Sequence, residues 1–320
     1  MPSLAETATD LGKSLGARFL GIGVVPALLL VVLFGALLGG GAPGNQPTLH
    51  QMSHTISTLS GAEFASLAVL VVAVALVLQP LQLGLVRLLE GYWPKVGFLA
   101  HATAWAKDRQ GNHWEDLRRA TTISAENVGS DATATAQLDA SRWAIAFPPS
   151  KDRVLPTRLG NALRAAEDRG GRPYGLDTVT AWPRLYPLLP DRLSAIIDDG
   201  RDQLDYSSRF VATFAIGAIG SLMLLAAHGG WWLVLPAILA ALTWLSYAAA
   251  VAAARAYGQS VCAAFDLHRF ALFTAAHIAL PPNGATEQQL GERLTRLWSL
   301  RDVALVTPMT YDHGEQSRQL

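Results

Sequence analysis

The sequence predicts an all-α integral membrane protein in which four transmembrane helices, arranged as two pairs, flank a cytoplasmic helical module. Three observations predict it. Apolar residues make up 51% of the 320-residue chain and charged residues only 16%, whereas a soluble domain carries about 25% charged residues. The missing charge is concentrated in four apolar runs rather than thinned out evenly. The polar segments, finally, carry helical periodicity and no alternating strand pattern.

Taken in order, residues 1–18 are polar, with Lys13 and Arg18 just ahead of the first run. Phe19 to Leu38 has about the 20 residues that cross ~30 Å of hydrocarbon. It exceeds the apolar region of a signal peptide, roughly 7–15 residues, and lacks a clear small-residue cleavage site. It is therefore read as a retained span, with Pro26 tolerated near its start. Residues 39–63, rich in Gly, Pro, Ser and Thr, read as an outer loop. Phe64 to Leu85 is the second span, with a local break expected at Gln79-Pro80-Leu81-Gln82. Arg87 and Glu90 mark its exit from the membrane, and Tyr92-Trp93 offer an aromatic interface anchor.

Residues 95–208 form the cytoplasmic module. One or two helices are expected up to Asp139, with breaks near Gly111 and Gly129. The most structured polar segment follows, Pro156 to Pro190. Thr157 is the expected N-cap of a helix Arg158–Arg169, and Gly170-Gly171 its end through a left-handed glycine. Pro173-Tyr174-Gly175 reads as a turn, and Asp177 as the cap of a short helix carrying Trp182, Pro183 and Arg184. A helix from Asp191 to Tyr206 then leads to the third span, Phe210 to Ala227. His228-Gly229-Gly230 is too short for anything but a helical hairpin link, and the fourth span is Leu233 to Ala254. Past Arg255 the helical pattern is expected to continue as an amphipathic cytoplasmic helix to about Leu280, where Pro281-Pro282 stops it. A last helix covers Glu287 to Leu300. The units are thus 1–94 with two spans, 95–208, 209–255 with two spans, and 256–320 as a cytoplasmic extension.

The basic residues set the orientation. Two precede the first span, seventeen lie from Arg87 to Arg209 and six from Arg255 onward, while both short outer loops have none. By the positive-inside rule both termini and the module face the cytoplasm. Zero formal net charge offers no footprint for nucleic acid. Cys262 is the only cysteine, which excludes an intrachain disulfide and any multi-cysteine metal site. Arginine far outnumbers lysine, as high-GC bacterial coding does, and places the protein in a bacterial inner membrane.

Three stretches carry a resemblance: Arg87-Leu88-Leu89-Glu90-Gly91-Tyr92-Trp93-Pro94; the segment Pro156–Pro190; and Tyr257-Gly258-Gln259 with Ala263-Ala264-Phe265-Asp266-Leu267-His268-Arg269. Together they resemble a family of bacterial multi-pass membrane proteins with no known activity. The resemblance implies one integral unit with a cytoplasmic helical module, and it transfers no functional residue.

The chain holds no phosphate-binding P-loop, dinucleotide fingerprint, HExxH, GxSxG or EF-hand pattern. No catalytic residue, cofactor or metal is assigned. His50 and His54 stand four apart, but without a third ligand nearby they read as solvated loop residues. Arg164 with Glu167, and Asp177 with Arg184, read as structural pairs that lock the module or form an interaction surface, together with Trp182, Arg87 and Glu90. The spans carry no central charge, which argues against an ion-coupled carrier. Their amides and hydroxyls at Gln79, Gln82, Thr213 and Ser221, with the hinge candidate Pro80, are the pore-lining candidates of an assembled ring. The sequence therefore favours a non-enzymatic homo-oligomer in contact with membrane lipid, channel-like or membrane-perturbing. A scaffold recruiting a cytoplasmic protein is the alternative, and a membrane enzyme the third reading.

Overall fold

A chain this apolar must satisfy its backbone hydrogen bonds within each segment, and a helix does so locally. A computed structural model describes residues 23–94, 96–126 and 130–300. Among them are ten α-helices, several short 3-10 turns and no strand. In order they are α1 (Val25–Gly39), α2 (Leu49–Thr58), α3 (Gly61–Glu90), α4 (Gly97–Glu126), α5 (Ser130–Ala146), α6 (Arg158–Arg169), α7 (Thr178–Leu185), α8 (Asp191–Leu225), α9 (Val234–Ala275) and α10 (Gly284–Leu300).

Among the described residues, three helices are long and apolar enough to cross a membrane: Gly61–Leu78 within α3, the helix Asp191–Leu225, and the helical stretch Gly230–Ala275. The expected first span starts outside the described residues. Its described part, Val25–Gly39, is a shorter apolar helix of 15 residues, about 22 Å long at 1.5 Å per residue.

Five expectations are corrected. The stretch 39–63, expected as an outer loop, is not all loop, because Thr48 accepts from the Gln51 amide and starts α2. α3 runs unbroken through Pro80, as proline-bearing membrane helices can. α4 likewise passes Gly111 without a break. That glycine is buried and lies close to the Lys151 stem, so packing offsets its low helix propensity. Gly129 lies outside the described residues. The α9 helix stops at Ala275 rather than near Leu280, and His277 takes a left-handed backbone, φ 54°. The last helix starts at Gly284, three residues earlier than expected, with the Asn283 side chain accepting from the Thr286 amide at 2.9 Å.

The chain divides into two units. Of the described residues, the first holds those from 23 to 88 and Gln203–Ala250; the second holds those within Leu89–Asp202 and from 251 to 300. Both divisions in the second half of the chain fall inside continuous helices, α8 and α9. The amphipathic segment Asp191–Tyr206 and the apolar run after it, expected as separate elements, are one helix of 35 residues, while α9 continues past Arg255 as expected, in a helix of 42 residues.

In the first unit, α1 is the hub. Ala27 packs with Val71 and Ala75 of α3, and Leu37 with Leu225 of α8. Gly217 and Gly220 let α8 approach α1. A Cβ at Gly220 would stand 2.5 Å from the Phe34 ring, and one at Gly217 3.1 Å from Leu33. This is the small-residue packing that joins membrane helices.

The second unit has a core of the soluble kind. Leu176, Ala181, Leu185 and Leu189 from the Pro156–Pro190 segment pack with Ile197 of α8, Phe265 and Phe273 of α9, and Leu294 of α10. A smaller cluster of Trp114, Ala146, Phe147 and Val154 closes the α4–α5 hairpin, pinned by the Trp114 indole donating to the Pro148 carbonyl at 2.9 Å.

Candidate functional site

The segment Pro156–Pro190 builds itself from local signals. The Thr157 hydroxyl accepts from the Gly160 amide at 3.1 Å, and α6 covers the expected residues, Arg158–Arg169. The helix ends at Gly170, but not through a left-handed glycine: Gly170 has φ −65° and Gly171 φ −87°. Crowding explains the glycines instead, since a Cβ on Gly171 would stand 2.5 Å from the Leu176 carbonyl. The left-handed residue is Gly175, φ 76°, closing the 3-10 turn Arg172–Tyr174. Asp177 then caps α7, its carboxylate accepting from the Thr180 amide at 2.9 Å.

Backbone joins the neighbouring elements to this segment. A Cβ at Gly160 would stand 2.0 Å from the Glu90 carbonyl oxygen, so the end of α3 rests directly on α6. A Cβ at Gly175 would meet the Gln288 carbonyl at 2.0 Å, and one at Gly291 the Tyr174 carbonyl at 2.2 Å. α10 is thus held backbone to backbone against the turn. Thr295 reinforces it, accepting from the Asp177 amide at 2.9 Å and donating to the Gly175 carbonyl at 3.2 Å.

The candidate charged residues fall into two separate sets. Arg164 pairs with Glu167 at 3.4 Å and donates to the Tyr92 hydroxyl. Burial pushes the Glu167 carboxyl above its ordinary value, with Arg164 opposing the shift. Arg184 instead donates to the Thr180 carbonyl at 2.6 Å and lies over the Trp298 ring at 4.8 Å, so Asp177 and Arg184 both serve the α7–α10 contact. Trp182 packs beside Tyr186 and Phe265, with ring centroids 5.7 and 6.1 Å away. Arg87 is exposed. Thr213 and Ser221 are buried, their hydroxyls donating to the Arg209 and Ala218 carbonyls of their own helix. The side chains of Gln79, Pro80 and Gln82 lie outside the described residues.

An ion cluster around a deeply buried carboxylate was not among the residues singled out in the sequence. Asp168, its side chain 2% exposed, accepts from Arg153 at 2.6 Å and meets Arg172 at 2.9 Å. The hydrogen bond to Asp168 holds the Arg153 guanidinium above its ordinary value. The Asp168–Arg172 pair has helical spacing and could have been found; Arg153 lies 15 residues away and could not. On the far side of the core, Arg269 pairs with Glu287 at 2.5 Å and stacks over Tyr174 at 4.0 Å. The Tyr174 hydroxyl donates to Asp266 at 2.6 Å, which raises its affinity for its proton.

None of these clusters places a nucleophile beside a base, and no group of three metal-ligating side chains occurs among the described residues. His50 and His54 sit exposed on α2. What the arrangement does chemically is neutralise charge and clamp helices. Comparison with protein-family models, curated proteins and solved structures finds no match. The family resemblance therefore rests on its three sequence stretches alone.

Proposed function

We propose that this protein is a membrane-anchored, non-enzymatic helical module of a bacterial inner membrane. Its apolar helices provide the anchor, four spans with both termini cytoplasmic. Its second unit is the cytoplasmic surface that receives a protein partner. One observation carries this reading: the first unit turns apolar side chains outward and polar ones inward. Val69, Met223 and Trp244 are 69, 72 and 70% exposed, whereas the hydroxyls of Thr213 and Ser221 are buried against their own helix. Such a surface suits lipid.

The second reading, a channel assembled from several copies, ranks first from sequence alone. It keeps support from the same apolar faces, which neighbouring subunits could cover. An enzyme built on Arg164, Glu167, Asp177 and Arg184 has the least support, because those residues divide between two contacts with different partners.

Ion flux in liposomes reconstituted with the full-length protein, with subunit count measured on the same sample, separates the readings. Ion-tight liposomes containing folded protein are expected. Flux from a ring of defined size overturns the anchor in favour of the channel.

A further inference from the structure

Two arginines of the second unit have no place in the clamp described above. Arg169 ends α6 and Arg255 opens the second-unit part of α9, and both line one cavity of about 340 Å³. That volume lies at the small end of ligand pockets, roughly 300–1,000 Å³. The cavity exists because the helices beside it are stripped of bulk. Ala162, Ala166, Gly258 and Ala263 form its walls. A Cβ at Gly258 would stand 2.8 Å from that of Ala166, so α6 and α9 touch there and leave a smooth apolar trough alongside.

Each of these two arginines has a buried donor without a partner. The Nε atoms of Arg169 and Arg255 are both out of solvent, and neither meets a hydrogen-bond acceptor among the described residues. Arg169 stacks on Trp143 at 4.7 Å, donates to the Phe147 carbonyl at 3.5 Å and has Asp168 near enough to act as an opposite charge. Its burial lowers its affinity for the proton it carries. Arg158 lies near enough to act on Arg255 as a like charge. The opposing carboxylate at the cavity, Asp266, is exposed and accepts the Tyr174 hydroxyl at 2.6 Å. Folded proteins rarely leave buried donors without acceptors, and here the Nε atoms of two arginines from two helices lining one cavity are left so.

We propose that this cavity binds an organic phosphate, its oxyanion held between Arg169 and Arg255 and its carbon portion lying along the alanine wall. A tetrahedral phosphate offers oxygens to two guanidinium forks arriving from different helices, whereas a planar carboxylate matches one. The apolar walls and the volume, too large for the oxyanion alone, accommodate the organic part. Two sources share this chemistry, a soluble phosphomonoester and the headgroup of an anionic phospholipid. Arg255 directly follows the apolar stretch 233–254 in α9, the place where basic residues meet anionic headgroups. The site stands on the second unit's own geometry and does not depend on the anchor reading.

Cys262 lines the cavity and is the only cysteine, so its rate of maleimide modification reports occupancy without introducing a probe. The full-length protein is labelled in detergent with and without glycerol phosphate, and in nanodiscs of phosphatidylglycerol or of phosphatidylcholine. At ten times the dissociation constant, labelling is expected to slow about tenfold, following the free fraction. Slowing by glycerol phosphate assigns a soluble ligand, and slowing confined to phosphatidylglycerol discs assigns a lipid headgroup. Arg169→Gln and Arg255→Gln are expected to restore fast labelling, and Arg255→Lys, which keeps the charge but not the fork, to restore it in part. Equal labelling of the unaltered protein under every condition overturns the proposal, and that comparison requires no variant to fold. Protection that persists undiminished in both glutamine variants overturns it as well.

Discussion

The two units pack their helices in different ways. In the first, large apolar side chains point outward, and contact between helices is made at small residues such as Ala27, Ala75, Gly217 and Gly220. In the second, Phe265, Phe273, Leu176 and Leu185 are fully buried, and charges at Arg153, Asp168, Arg269 and Glu287 close the ends of helices. On the proposed reading, lipid surrounds the first unit and rewards no burial of apolar surface, so that unit depends on close van der Waals fit. Water, which does reward it, surrounds the second unit on the same reading, and there a core accumulates. Stability should accordingly be unevenly distributed, with single substitutions costly in the second unit and cheap on the outward face of the first.

The largest effect is expected from Phe265→Ala, which empties the centre of the second unit's core. A loss of about 4 kcal/mol, typical of buried Phe→Ala changes, should appear in the thermal melt of the detergent-solubilised protein. Gly175→Ala should cost about 3 kcal/mol, combining a left-handed backbone with a Cβ directed at the Gln288 carbonyl. Proteolysis should then release α10 before the rest of the unit unfolds. Removing the cap of α7 with Asp177→Ala should cost about 1 kcal/mol, read by the same melt.

Glu167 supplies a smaller, pH-dependent effect. Its folded carboxyl binds a proton more tightly than its ordinary value of 4.5, so the folded state carries more protons than the unfolded one just above that pH. Stability therefore falls as pH rises from 4.5 through the raised value. Glu167→Gln should flatten that part of the profile, measured as the melting temperature across the acidic range. Arg164 and Arg153 nearby and partial exposure keep the effect small. Smallest of all is Val69→Thr on the outward face of α3, expected within about 0.5 kcal/mol of no change in detergent. A large loss there would show that the first unit is packed like the second and would erase the contrast.

The sequence reading succeeded where a few adjacent residues decide the outcome. Thr157 starts α6 and Asp177 starts α7 because each side-chain oxygen needs only an amide three residues on. It failed at one join. The change from amphipathic to apolar near Tyr206 looks like an element boundary in composition, but the backbone has no reason to break there and α8 continues. Past Arg255 the helical pattern reads as continuous, and α9 does run on, to Ala275. The helix Leu49–Thr58 was obscured by its Ser, Thr and His content, which reads as loop until Thr48 is recognised as its cap.

Composition and periodicity by themselves determined the all-helical class, the membrane-length apolar runs and the caps of the central segment, since each depends on chain length or on neighbours within one turn. Only the tertiary structure decided which glycines are indispensable. Gly160 and Gly175 matter because the Glu90 and Gln288 carbonyls, far away in sequence, occupy the space a side chain would need. It also decided which arginines are neutralised. Arg153 and Arg172 find Asp168, while Arg169 and Arg255 line a shared cavity, each with a buried Nε that has no hydrogen-bond partner among the described residues. Charges of one residue type look alike along a chain. They acquire different roles when folding sets their distances to groups that the chain order keeps apart.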